Sequence, residues 1–215
     1  MNKKYIASAV CGVLFVLLTV LVKTVDVAAI GPSGTSIGLS ALNGAVHNLF
    51  AYNGFFYVLT KLIGYFALLF GACMAGVGIY QVYKRRSILK MDQEFLALAC
   101  LYIAMVLLYV LFEIVIINYR PVIMPDEAAV EASFPSSHTM LVTIIMGSAI
   151  TLVNRYVTNR KTARVLKPVF AAIIVIMAVG RLLSGVHWFT DIMAGLLISG
   201  ALVFLYSGFV DSINS

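Results

Sequence analysis

Three short groups of residues carry the side chains needed to handle a phosphoryl group: Arg120-Pro121, then Pro135-Ser136-Ser137-His138, then Arg181, His187 and Asp191. A phosphoryl group spreads negative charge over several oxygens, and the rigid fork of a guanidinium matches that geometry. Arg120 and Arg181 can therefore hold it from two sides. Pro135 suits the first turn of a helix, where its missing N–H is not needed. The free amides near Ser136 and Ser137 would point at the same anion, with the helix dipole in support. The two serine hydroxyls add donors. His187 and Asp191 are four positions apart, so a helix brings them to one face. Asp191 would then fix the tautomer of His187 and leave the other ring nitrogen free as a nucleophile or base. His138 can protonate a leaving oxygen as a general acid. The sequence has no Asp/Glu cluster suited to Mg²⁺ and no His/Cys spacing suited to zinc. Neither a metal nor another cofactor is expected.

The elements that must position these groups are membrane helices. Of 215 residues, 62% are hydrophobic and 11% charged, roughly half the charged fraction of a soluble domain. The charges cluster between apolar runs of about 20 residues, the length that spans a bilayer core. The expected spans are Tyr5–Val22, Phe55–Val82, Glu94–Ile117, Ser136–Val153, Pro168–Leu183 and Phe189–Phe209. The fold class is therefore all-α: a polytopic bundle of six transmembrane helices forming one domain over 1–215, with its motif core at 113–191. A basic start before Tyr5 also fits a secretory signal. The run is longer than a signal core, and we take it as a retained first helix. Gly31 to Gly54 forms a loop, with an amphipathic helix around Leu39 to Phe50 lying at the interface. His47 in that loop is given no role.

The net charge of +6 is a topology signal, not a nucleic-acid footprint. Lys3, Lys4, Lys84, Arg85, Arg86, Lys90, Arg155, Arg160, Lys161, Arg164 and Lys167 all fall on one side of a six-helix zigzag. That bias places both termini in the cytoplasm. The 118–138 loop and the 181–191 segment then face outward together, in a multi-pass protein of the cell membrane. Cys11, Cys73 and Cys100 lie inside apolar runs and suit neither disulfides nor metal ligands. Asp126, Glu127 and Glu131 form a solvated rim, and Trp188 an interfacial anchor. Charge inside a membrane helix signals function by default. Lys61 and Glu113 either pair as a tuning couple, or Lys61 supplies a cation to the site, or Lys61 snorkels outward without contact.

The order Arg-Pro, Pro-Ser-x-His, Arg-x5-His-x3-Asp resembles the three-part signature of the type 2 phosphatidic acid phosphatases, also called lipid phosphate phosphatases. Thirteen residues separate Pro121 from Pro135, and forty-two separate His138 from Arg181. The resemblance implies a phosphohistidine intermediate on His187, oriented by Asp191, with His138 donating to the leaving alcohol. Arg120, Ser136, Arg181 and the backbone at Ser137 would bind phosphate. Three positions depart from the family pattern. Glu113 stands where a Lys is usual, Ser137 replaces a Gly, and Gly180 replaces a Ser.

The expected activity is hydrolysis of a lipid phosphomonoester or diphosphate whose tail stays in the bilayer. Phosphatidic acid, phosphatidylglycerol phosphate and polyprenyl (di)phosphate are the expected substrates. A catalytically weak lipid-phosphate-binding protein and a phosphotransferase to an acceptor other than water are the alternatives. The lipid bilayer is the expected partner; nucleic acid is not, and the sequence leaves the oligomeric state open.

Overall fold

The computed structural model describes residues 3–124 and 129–213, apart from the side chain of Asn154. Seven helices follow in order: α1 Lys3–Thr24, α2 Ser40–His47, α3 Gly54–Arg85, α4 Gln93–Ile114, α5 Ser137–Tyr156, α6 Arg160–Leu183 and α7 Phe189–Ser212. Helix α2 is short. The other six run up and down in antiparallel order. Lys4 at the start of α1 pairs with Asp211 at the end of α7, at 2.7 Å. Lys23 at the end of α1 donates to the Ile116 carbonyl just past α4, at 3.3 Å. Helices α1, α3, α4, α6 and α7 are each long and apolar enough to cross a membrane, and Ser137–Val153 of α5 is a shorter apolar helix. The chain is a multi-pass membrane protein.

Helix α5 is the axis of the bundle and packs against α3, α4, α6 and α7. Val142, Ile144, Ile145 and Met146 are buried along it. Its sequence is less apolar than those of α3, α4 and α7, and it meets protein on several sides. Two of its hydroxyls are satisfied within the helix: Ser148 donates to the Ile145 carbonyl at 2.9 Å and Thr151 to the Gly147 carbonyl at 3.3 Å. The outer helices do the reverse and turn Val13, Val16, Leu69, Ile79, Leu107 and Val175 outward. In water such surfaces would aggregate; in a bilayer they face lipid.

Several boundaries differ from the sequence expectation. Helix α6 begins at Arg160, not Pro168. The Asn159 side chain accepts from the amides of Lys161 and Thr162, at 2.9 and 3.4 Å, so the cap lies upstream and Pro168 is carried inside the helix. Four of the bases assigned to a loop are therefore on the first turns of α6. Helix α4 stops at Ile114, which puts Glu113 in its last turn and not deep in the membrane.

Two loops gather at the end opposite the basic clusters. The 115–136 connection is closed at its neck by an antiparallel bridge, Tyr119 to Ala132. The Arg120 amide donates to the Glu131 carbonyl and the Ser133 amide to the Asn118 carbonyl, both at 2.9 Å. The neck holds Arg120 beside the start of α5. The loop between α1 and α3 is pinned by Asn43, which is fully buried. It donates to Thr190 Oγ1 at 3.0 Å and accepts from the Thr190 amide at 3.2 Å.

Candidate active site

His138, His187, Arg120, Ser137, Glu113 and Glu131 line one cavity of about 190 Å³ at this end of the bundle. Its floor is the start of α5. Ser136 is the N-cap and Ser137 the first helical residue, so Pro135 lies before the helix and not in its first turn. The first intrahelical bond runs from the Met140 amide to the Ser136 carbonyl. The amides of Ser137, His138 and Thr139 therefore have no acceptor within the helix, the condition that makes a helix start an anion site. Ser136 itself is turned away. Its amide donates to the Asp191 carbonyl at 2.9 Å, and its hydroxyl accepts from Thr139 at 3.0 Å. It locks α5 to α7, while Ser137 lines the cavity.

Helix α6 ends at Leu183, and the chain turns through Gly185 at φ +66°. A side chain there would be strained and would meet the Ala51 backbone at 3.0 Å. The turn delivers His187 to the cavity and starts α7 two residues later. Asp191 is fully buried. Its Oδ2 accepts the Trp188 amide at 3.0 Å, closing a capping box, and stands 3.5 Å from His187 Nδ1. That contact is longer than a hydrogen bond, yet it orients Nδ1 toward the carboxylate. Neither His187 ring nitrogen makes a hydrogen bond of full geometry among the described residues, although the Ser133 backbone acts on the ring. Burial, then the charges of Arg181 and Arg120, holds the imidazole well below its ordinary range and so keeps it unprotonated.

Two residues not anticipated from sequence attend Asp191. Asn118 and Ser133 are buried and act on its carboxylate. Asn118 Oδ1 accepts from the Gly38 amide at 3.4 Å, leaving Nδ2 as the donor on its other edge. Asn118 Nδ2, Ser133 Oγ and Asp191 Oδ1 are all buried without a formed hydrogen bond among the described residues. Asn-Tyr-Arg and Ser-Phe-Pro in the sequence offer no signal for this; the loop neck creates it.

Both arginines have internal partners. Arg120 pairs with Glu131 at 2.7 Å, so Glu131, partly exposed at the cavity, is also an internal partner of the site. Asp126 and Glu127 lie outside the described residues. Arg181 is buried behind His138, with Nη2 at 2.7 Å from His138 Nδ1. A guanidinium only donates. His138 Nδ1 therefore accepts, and the ring proton sits on Nε2.

Arg181 Nη1 also donates to Thr60 Oγ1 at 3.4 Å, a contact that accounts for Gly180. A Cβ at position 180 would stand 2.6 Å from the Thr60 methyl. Thr60 occupies the space of the missing serine side chain and brings its hydroxyl to the adjacent arginine. Substituting Gly180→Ser alone is expected to destabilise the protein by about 1–3 kcal/mol through overpacking. Gly180→Ser with Thr60→Ala should recover most of that loss, because the new hydroxyl takes over the Arg181 contact. Thermal unfolding of both variants checks this, and additive losses would refute it.

Lys61 and Glu113 form no direct ion pair within 4.0 Å among the described residues. Glu113 lines the cavity; the Lys61 ammonium lies 5.8 Å from the Tyr57 ring centre. Trp188 is not an interfacial anchor. It is 2% exposed, donates from Nε1 to the Tyr119 carbonyl at 2.7 Å, and packs 5.2 Å from the His47 ring. His47 thus braces the site turn, and burial holds its imidazole below the ordinary range. Among the described residues no group of three or more His, Cys, Asp or Glu is placed to hold a metal ion.

Six antiparallel long helices, with two histidines, two arginines and a buried carboxylate gathered at one end, define a multi-pass membrane protein. The chain belongs to the PAP2 superfamily, whose family model matches residues 95–214. Among solved structures it is similar to a transmembrane PAP2-type phosphatidylglycerolphosphate phosphatase from Bacillus subtilis. Identity is 20% over 96% of this chain and 97% of that one, with a TM-score of 0.67. Comparison with the curated proteins returns no match.

Proposed function

We propose that this protein is a lipid phosphatase acting through a phosphohistidine on His187. The observation that carries this is the buried His187 imidazole, held neutral beside Asp191 and facing a cavity with Arg120 and a free helix start. In the first step the Nε2 lone pair attacks phosphorus. An N–P bond forms, the P–O bond to the lipid breaks, and the Nδ1 proton stays directed at Asp191. The leaving oxygen takes a proton from His138 Nε2. For that, His138 must carry a second proton, which its Nδ1 can accept only once Arg181 has moved to the incoming phosphate. In the second step water attacks phosphorus, the N–P bond breaks, and His138 takes the water proton. Inorganic phosphate leaves.

The basic ends of α1, α3, α5 and α6 support a topology with the cytoplasm at the end away from the site. Hydrolysis then occurs at the outer leaflet. The tail has a path that never leaves the bilayer. An apolar groove of about 380 Å³, lined by Gly64, Leu68, Met105 and Leu141, shares Tyr109, Ser137, His138 and Met140 with the catalytic cavity.

Phosphate release from phosphatidic acid, phosphatidylglycerol phosphate and polyprenyl diphosphate by the purified protein, with vanadate as inhibitor, tests the activity. The carboxylates of Glu113 and Glu131 in an anion cavity favour one other reading, a weak lipid-phosphate binder. Failure to release phosphate above background from any of these lipids would establish it. The ion pair with Glu131 also makes a direct prediction. Glu131→Gln frees Arg120 and is expected to lower the vanadate Ki about tenfold, the scale of one charge-assisted hydrogen bond. An unchanged Ki would show that Glu131 does not compete with the anion.

A further inference from the structure

Lys61 has no ion-pair partner among the described residues and no assigned task. It lies on α3 one turn before Gly64, where the helix closes on His138: a Cβ at Gly64 would stand 3.1 Å from His138 Cδ2. The three residues from Lys61 to Gly64 rise about 4.5 Å along the axis, well within the reach of a lysine side chain. Lys61 lines the apolar groove, where among the described lining residues it is the one with a formal charge. No carboxylate lies within 4.0 Å of its ammonium among the described residues. Its contact is the Tyr57 ring, at 5.8 Å, and Arg181 lies 5.8 Å from the same ring. One aromatic face thus spaces the Lys61 ammonium from the guanidinium behind His138.

Helix α3 has 32 residues, about 48 Å, against a hydrocarbon core of about 30 Å. An excess of about 18 Å is enough to leave its first turns at headgroup depth. Lys61 is seven residues in, and its side chain tilts toward the helix start. It is therefore placed to meet a headgroup and not an acyl chain.

The order of groups along the substrate path gives Lys61 its role. The phosphoryl group under attack sits in the cavity with His187 and Arg120. The leaving oxygen sits at His138, in the wall shared with the groove. The remainder of the lipid then runs into the groove past Lys61. A leaving group that still carries a phosphate brings a negative charge to this ammonium. A leaving group that is a neutral alcohol, such as diacylglycerol, does not.

We propose that Lys61 is a specificity-determining residue that selects lipids carrying a second phosphate on the leaving-group side of the scissile bond. The proposal rests on the phosphatase reading above. A lipid diphosphate and phosphatidylglycerol phosphate both meet the requirement; phosphatidic acid does not.

The test uses the purified full-length protein and kcat/KM for phosphate release from polyprenyl diphosphate, phosphatidylglycerol phosphate and phosphatidic acid. In Lys61→Met, the ratio of either two-phosphate lipid to phosphatidic acid is expected to fall at least about tenfold, the loss of one charge-assisted contact. Lys61→Arg should restore most of the ratio, because it restores the charge. Lys61 is exposed on its helix, so these changes open no internal cavity, and Lys61→Gln serves as a second neutral variant. Ratios within twofold of wild type in both neutral variants, or equal loss on all three lipids, would overturn the role of Lys61 while leaving the phosphatase reading intact. A wild-type protein that releases phosphate from none of the three would overturn both.

Discussion

His187→Asn is expected to reduce phosphate release by at least about 10⁴-fold, the scale on which loss of a nucleophile is felt. Nothing else in the cavity replaces it. Glu113 and Glu131 are anions facing an anionic substrate, and the Ser137 hydroxyl has no base assigned to activate it. Alkaline quench of a reaction with radiolabelled substrate should trap a labelled protein in the wild type and none in the variant, since phosphohistidine survives base. A labelled variant would place the nucleophile elsewhere. The same residue has a pH signature. In the unfolded chain a histidine takes up its proton near pH 6.5. In the folded protein, burial and the two arginines hold His187 well below that value. The folded state therefore binds fewer protons as pH falls below about 6.5, and acid favours unfolding. This contribution to stability is complete above about pH 6.5 and is lost progressively below it. His187→Asn removes it, so the fall in Tm between pH 7 and 5 should be shallower in the variant. Parallel Tm profiles would show that the buried imidazole is not the group responsible.

His138→Ala is expected to lower turnover of lipid phosphates by about 10³-fold, within the range of general acid catalysis. An alkoxide is a poor leaving group, and in the proposed mechanism the proton it needs comes from the imidazole on the groove wall. A nitrophenolate needs no such proton. The loss with p-nitrophenyl phosphate should therefore be no more than about tenfold, reflecting only disturbance of Arg181, which keeps Thr60 as its second partner. Equal losses on both substrates would mean that His138 positions Arg181 and does not transfer a proton.

The membrane architecture was legible in the sequence because hydrocarbon admits little else. An apolar run of about 20 residues between charges must form a helix that satisfies its own backbone, and each expected span has a counterpart among α1 and α3 to α7. Local polarity misled where capping overrode composition. Asn159 starts α6 among bases that look like a loop. Trp188 near a helix end matches the pattern of an interfacial anchor, yet its indole is buried against His47 and the Tyr119 carbonyl.

The sequence by itself determined the class of fold, the family, and the order of two arginines, two histidines and an aspartate along the chain. These follow from residue type, spacing and the length of apolar runs. Only the tertiary structure decided the partners. Glu131 on Arg120, Thr60 behind Arg181, Asn118 and Ser133 at Asp191, and Lys61 apart from Glu113 are contacts between segments remote in sequence or across a loop neck. Their distances depend on how α3, α4 and α6 pack around α5, which no local pattern encodes.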